Sequence, residues 1–234
     1  LFLTVWELFA DFHIIDSFFF SSPSRVVACF VRMVSERCLF THIGITLTET
    51  VISFFLVALV SLSTATLLWY SRRLSEILEP FLVVLNSLPK SALAPLLIVW
   101  LGTGMDTIIA AGISVAIFGA IINLYTGFLQ ADPEKLLLIR TLGGTRRDCF
   151  FKVVLPASIP VILSNMKVNI GLSLVGVVIG EFLAARRGLG YLIIYGSQVL
   201  QLDMLITSIL LLCIIAMGLY QLLQFAEHCY KKKV

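Results

Sequence analysis

The chain has 234 residues, of which 59% are hydrophobic and only 13% charged, with a formal net charge of +3. Water-soluble domains are closer to half apolar and a quarter charged, so a chain this apolar has lipid as its natural solvent. The basic residues are scattered among apolar runs without the polar-interleaved stripe that a nucleic-acid footprint needs, which excludes nucleic acid as a partner and makes membrane lipid one.

Six apolar segments follow in chain order. The first is ragged, Leu1 to Ala10, and with Leu rather than Met at position 1 it reads as the truncated remainder of a first membrane helix. The others run from about Ile43 to Tyr70, Ile77 to Leu101, Thr107 to Leu129, Ala157 to Ala185 and Met204 to Phe225. Each of these five holds roughly 20 or more mostly apolar residues, enough to cross a hydrocarbon core of about 30 Å as a helix. Backbone groups in lipid must be satisfied within the segment, and strict apolar/polar alternation is absent, so the segments are helices and not barrel strands. The expected fold is an all-α membrane bundle of about six transmembrane helices forming one domain over residues 1–234, with its core at about 42–228.

Basic residues orient the bundle. Arg72, Arg73, Lys135, Arg140, Arg146, Arg147, Lys152 and Lys231 to Lys233 lie in one set of connections, against Arg25, Arg32, Arg37, Arg186 and Arg187 in the other. The richer set is cytoplasmic by the positive-inside rule, which places both termini inside and makes the protein a multi-pass component of a bacterial inner membrane. Phe12 to Thr41 then lies outside, with Phe18-Phe19-Phe20 and a short amphipathic stretch, Val26 to Val34, expected as a connecting helix or one lying along the membrane.

The cytoplasmic connection at about 132–156 is a helix–Gly–helix hairpin. Asp132 caps, Pro133 suits the first helical position, and Glu134 faces the positive end of the dipole. Gly143-Gly144 closes the first helix, and Thr145 caps a second, Arg146 to Val154, expected to stop before Leu155-Pro156. Leu136, Leu137, Ile139, Leu142, Phe150 and Phe151 give the hairpin an apolar side. It is either a brace for the bundle or a helix for a groove on a soluble partner.

Leu138-Ile139-Arg140-Thr141-Leu142-Gly143, followed by nine residues and then Val153-Val154-Leu155-Pro156, resembles the EAA loop of binding-protein-dependent ABC importer permeases of the type I class. The glycine and the Leu-Pro match; Leu137, Leu138 and Ile139 stand where that family has an acid and two alanines. Pro80, Ser87 to Lys90, Ala94 to Leu96, Trp100 to Gly102, Gly180 to Phe182, Gly188 to Leu192 and His42 to Leu47 are similar to the branch serving nitrate, sulfonates, taurine and bicarbonate. The resemblance implies an ATP-driven importer of a small anionic solute or, alternatively, of a vitamin or thiamine precursor. Its partners would be separate ATP-binding cassette subunits, an extracytoplasmic solute-binding protein and a second permease copy. ATPase coupling would fall to Leu137, Leu138, Ile139, Leu142, Gly143, Val153, Leu155 and Pro156.

Other chemistry is scarce. No GxxxxGK[ST] phosphate loop is present, so the chain is not an enzyme and carries no cofactor, ATP being used by the partner. No catalytic triad or metal set arises from His13, His42 and His228, and Cys29, Cys38, Cys149, Cys213 and Cys229 are packing residues. No internal repeat supports an ion-gradient carrier. Polar groups within spans are pathway candidates: Asn86 and Lys90 in the third segment, Asn165, Lys167 and Glu181 in the fifth, with the lysines expected to favour an anion. Lys167 reaching to the interface and Glu181 capping a helix break are the alternatives. Gly171, Ser173, Gly176 and Gly180 form a small-residue packing face.

Overall fold

A computed structural model of the chain describes residues 2–12, 21–36 and 38–231, and all of its regular elements are helical. In order they are α1 (Phe2–Asp11), α2 (Pro23–Ser35), α3 (Cys38–Tyr70), α4 (Arg72–Ser87), α5 (Lys90–Leu101), α6 (Met105–Leu129), α7 (Pro133–Thr141), α8 (Arg146–Cys149), a π-helical turn (Phe150–Val154), α9 (Leu155–Ala184), α10 (Leu189–Gln198) and α11 (Leu202–Lys231). Arg37, Phe18 to Phe20, His13, Lys232 and Lys233, invoked above, lie outside the described residues.

Four helical stretches are long and apolar enough to span a bilayer: α3, α6, the run Arg146–Ala184, and α11. The expected third crossing is instead two helices, α4 and α5, bent by 97° at the Leu88-Pro89 break. The residue before a proline is driven out of the α region, and Leu88 sits at φ −65°, ψ 140°. Counting that pair as one span gives up to five, against six expected. The remaining segment corresponds to α1, ten residues long and too short to span by itself.

The core is where α9 packs between α6 and α3. Gly176 and Gly180 allow this. A Cβ on Gly176 would come within 2.7 Å of Gly112 Cα, and one on Gly180 within 3.0 Å of Ile108 Cα. The small-residue face therefore packs on α6 of the same chain, though Gly171 is exposed and meets nothing. Outward faces carry Phe55, Leu59 and Leu67 on α3 and Ile214, Met217, Leu222 and Phe225 on α11, as a lipid-facing surface requires. The amphipathic stretch forms α2, which buries Cys29 and Met33 against Leu39, Leu189 and Leu192. Arg25 and Ser21 fasten it to Asp203 of α11, with contacts of 2.9 and 2.6 Å.

Candidate functional site

The hairpin at one end of the bundle is built by local capping. Asp132 accepts from Glu134 N at 2.9 Å, Gly143 takes φ +77°, and Gly144 N donates to Ile139 O at 2.9 Å. The Ile139 side chain lies over Gly144, so Ile139 faces into the turn. Thr145 and Asp148 form a reciprocal capping box. The Thr145 hydroxyl first, and then Lys152 at 2.9 Å, hold the Asp148 carboxyl well below the usual carboxylate range.

The second hairpin helix does not stop before Leu155-Pro156. Helical backbone continues from α8 through the π turn into α9, with Leu155 N donating to Phe150 O. Pro156 brings no N–H to this continuous run, and the π turn immediately before it is where the backbone ladder is rearranged around that gap. The hairpin's second arm is thus a continuation of the bundle's central helix.

Its base is an aromatic joint. The Phe150 ring is 2% exposed, with centroids of Trp69, Tyr70 and Phe128 at 5.2, 5.4 and 5.5 Å. Arg146 lies 5.6 Å from the Trp69 ring centroid and donates to Trp69 O at 3.4 Å. This joint ties the hairpin to the ends of α3 and α6. The far side is apolar and uncovered: Leu137, Leu138 and Leu142 are 62%, 58% and 76% exposed. Of the other expected coupling residues, Pro156 is exposed while Val153 and Leu155 are half-buried, Leu155 packing against the joint. The set thus splits into exposed leucines and residues at or beside the joint.

Within the bundle, Asn165 of α9 is buried and borders two cavities. One, of about 460 Å³, is also lined by Asn123, Thr126, Gln130 and Ser164; the other, of about 250 Å³, by Ser61 and Asn169. Asn165 donates to Ala120 O at 3.4 Å, and its own side-chain oxygen has no partner. Most of both linings is apolar, with Val161 and Val168 in the first and Phe55, Leu59 and Leu62 in the second; the polar groups are amides and hydroxyls, without a formal charge.

The two lysines are occupied elsewhere. Lys90 sits at the α4–α5 elbow and donates to Leu85 O and Asn86 O at 2.5 and 2.8 Å, where a cation suits the carbonyl end of α4. The Asn86 side chain, exposed on the last turn of α4, points towards Gly119 of α6. Lys167 pairs with Glu227 of α11 at 2.5 Å, largely out of solvent, so its charge is neutralised between two spans.

At the end opposite the hairpin, Glu181 is fully buried and grips the α9–α10 link. It accepts from Thr46 Oγ1 at 2.6 Å and from Gly190 N at 2.5 Å, while Leu189 N donates to Thr46 Oγ1 at 2.9 Å and Gly188 N to His42 Nδ1 at 2.9 Å. A Cβ on Gly188, which has φ +122°, would collide with the Glu181 carboxyl. Glu181 therefore acts at a break between helices and does not face an open pathway. Its neighbour Glu49, 2% exposed on α3, is absent from the sequence reading above. The signal was an acid inside an apolar span.

The family described as binding-protein-dependent transport system inner membrane component matches residues 57–226. A protein of Haemophilus influenzae named "Probable ABC transporter permease protein" is 30% identical over 97% of this chain and 91% of its own length. The formylaminopyrimidine transport permease protein ThiX of Halalkalibacterium halodurans is 28% identical over 81% of the chain and 75% of its own length. The taurine transport system permease protein TauC of Escherichia coli is 26% identical over 92% and 80%. The fold is shared with a chain of the inward-facing MetNI methionine ABC transporter, with a TM-score of 0.70 and 20% identity over 85% of this chain and 97% of that one. The chain thus belongs to the binding-protein-dependent transport system inner membrane components, as a permease subunit of an ABC importer.

Proposed function

We propose that the permease is worked from its hairpin, which docks by Leu137, Leu138 and Leu142 into a groove on a separate ATP-binding cassette subunit. The observation that carries this reading is an uncovered leucine face on the first arm of a hairpin whose second arm continues α9 and is jointed at Phe150 to α3 and α6. Fully burying one leucine is worth roughly 1.5–3 kcal/mol, so three give a useful anchor even without the acid of the EAA pattern. The hairpin end is cytoplasmic, as are both termini, in a bacterial inner membrane. Two copies of the chain enclose the pathway, and an external binding protein delivers the solute. Nucleotide-driven closure of the ATPases moves the hairpins, and the joint passes the displacement to three spans as alternating access. The ATPase must bind the hairpin differently in the two states for this to occur.

The solute is a small organic sulfonate of the alkanesulfonate or taurine class, its sulfonate group handled by neutral amide and hydroxyl donors at Asn123, Thr126, Gln130, Ser164 and Asn165. Neutral donors bind sulfonate oxygens without the tight hold of a buried cation, which suits passage. The taurine permease likeness supports this reading. Amide lining also matches the ring edges of a pyrimidine, and the formylaminopyrimidine permease likeness makes that the second reading. The test is uptake by proteoliposomes holding the permease, its ATPase and its binding protein. Taurine uptake that requires ATP is expected. Uptake of neither solute class, or uptake without the ATPase, overturns the proposal.

A further inference from the structure

At the end of the bundle opposite the hairpin, two carboxyl side chains meet. Glu49 of α3 is 2% exposed and Glu181 of α9 is 0% exposed. Thr46, one turn before Glu49 on α3, donates to Glu181 Oε1 at 2.6 Å, which sets the two buried acids side by side, and neither has an ion-pair partner among the described residues. An ionised carboxylate only accepts hydrogen bonds, so a bond between two carboxyls needs one proton.

The surroundings decide which group holds it. Both oxygens of Glu181 are already acceptors, one from Thr46 Oγ1 and the other from Gly190 N. Thr46 Oγ1 itself accepts from Leu189 N, so its single proton is committed to Glu181. Glu49 has none of these donors, and its Oε2 has no partner at all. Glu49 also borders a cavity of about 470 Å³ shared with Thr103, Gly104, Arg186 and Arg187, which gives protons a way in from that end.

We propose that Glu49 is a proton-binding site and a positioning residue: its protonated carboxyl donates to Glu181, and the pair holds the 185–191 link against α3. Loss of that proton places two negative charges in contact without a paired countercharge and weakens the grip on Gly190 and Leu189. The other ionisable groups near Glu49 are Arg186 and Arg187 at the cavity, His42 about two turns away on α3, Tyr191 on α10, and the exposed Asp106 that opens α6. The inference concerns the end away from the hairpin and holds whether or not the coupling proposal does.

Infrared spectroscopy of the purified full chain in lipid tests it. The expected result is a buried protonated-carboxyl band that titrates away as pH rises, is lost in E49Q, and is retained when the exposed Glu134 is changed in E134Q. In E181Q, where the neighbouring charge is gone, the band moves to lower pH. A second readout is maleimide labelling of R187C. With Cys213 and Cys229 replaced, its rate is expected to climb with pH more steeply than the thiolate fraction on the wild-type background and to follow the thiolate fraction alone with E49Q, whose amide N–H replaces the acid donor. Persistence of the band in E49Q, or identical labelling profiles on the two backgrounds, overturns the proposal. Wild-type protein without any such band overturns it too, whatever the folding of the variants.

Discussion

Replacing Phe150 by alanine removes the ring on which the hairpin joint is built while leaving Leu137, Leu138 and Leu142 untouched. The ring is 2% exposed and meets four others, those of Trp69, Tyr70, Phe128 and Phe151, at 5.2 to 5.5 Å. Truncating a buried phenylalanine costs about 3–5 kcal/mol, and each lost aromatic pair accounts for about 0.5–1.5 kcal/mol. A loss of about 3 kcal/mol multiplies the population of a loosened joint by roughly a hundredfold, since 1.4 kcal/mol is a factor of ten. The ATPase would then still hold the hairpin, but its movement would no longer reach α3 and α6. In proteoliposomes, F150A is therefore expected to keep ATP hydrolysis while solute moved per ATP falls severalfold, with F150L in between. A folded F150A protein with unchanged solute per ATP would refute the claim that this joint transmits force.

Three further outcomes follow from the same geometry. Removing one member of the Lys167–Glu227 pair, as K167M or E227Q, is expected to lower the melting temperature in detergent, and K167M/E227M to recover most of it, because the uncompensated charge is the damaging element. K90A is expected to destabilise the α4–α5 elbow, seen as faster proteolysis near Leu88, with the concentration dependence of solute uptake unchanged; a selective loss of affinity for anions would contradict this. For Asp148 the folded group titrates below its unfolded value, so its stabilisation is present above the ordinary aspartate range and lost only as pH falls through the lower folded value. Hydrogen-exchange protection of the Asp148 and Cys149 amides, corrected for intrinsic rates, is thus expected to hold from about pH 8 to about pH 5 and to drop throughout that range in D148A.

Much of the fold was legible because its signals are local. Long apolar runs specify α3, α6, α9 and α11, and Asp132, Gly143 and Thr145 specify the hairpin by capping alone. The 97° bend at Leu88 was only half legible. Pro89 marks where the hydrogen-bond ladder fails, but the direction taken afterwards depends on what α5 packs against. Pro156 misled in the opposite sense, since the π turn at Phe150–Val154 carries the helix past it. The roles of Lys90, Lys167 and Glu181 were not legible, because each is fixed by its partner: the carbonyls of Leu85 and Asn86, the carboxylate of Glu227, and the amide of Gly190. A charged residue in an apolar run shows that a partner must exist without naming it.

The central claim is that the leucine face of the hairpin meets the ATPase and moves with its cycle. It is tested most directly by cysteine cross-linking in assembled importer whose five native cysteines have been replaced. L137C, L138C and L142C are expected to cross-link to the ATPase, with yields that change between nucleotide-free and ATP-bound states, while buried V154C does not. Absence of any hairpin cross-link, or labelling of L142C from the face where the binding protein docks, would contradict it.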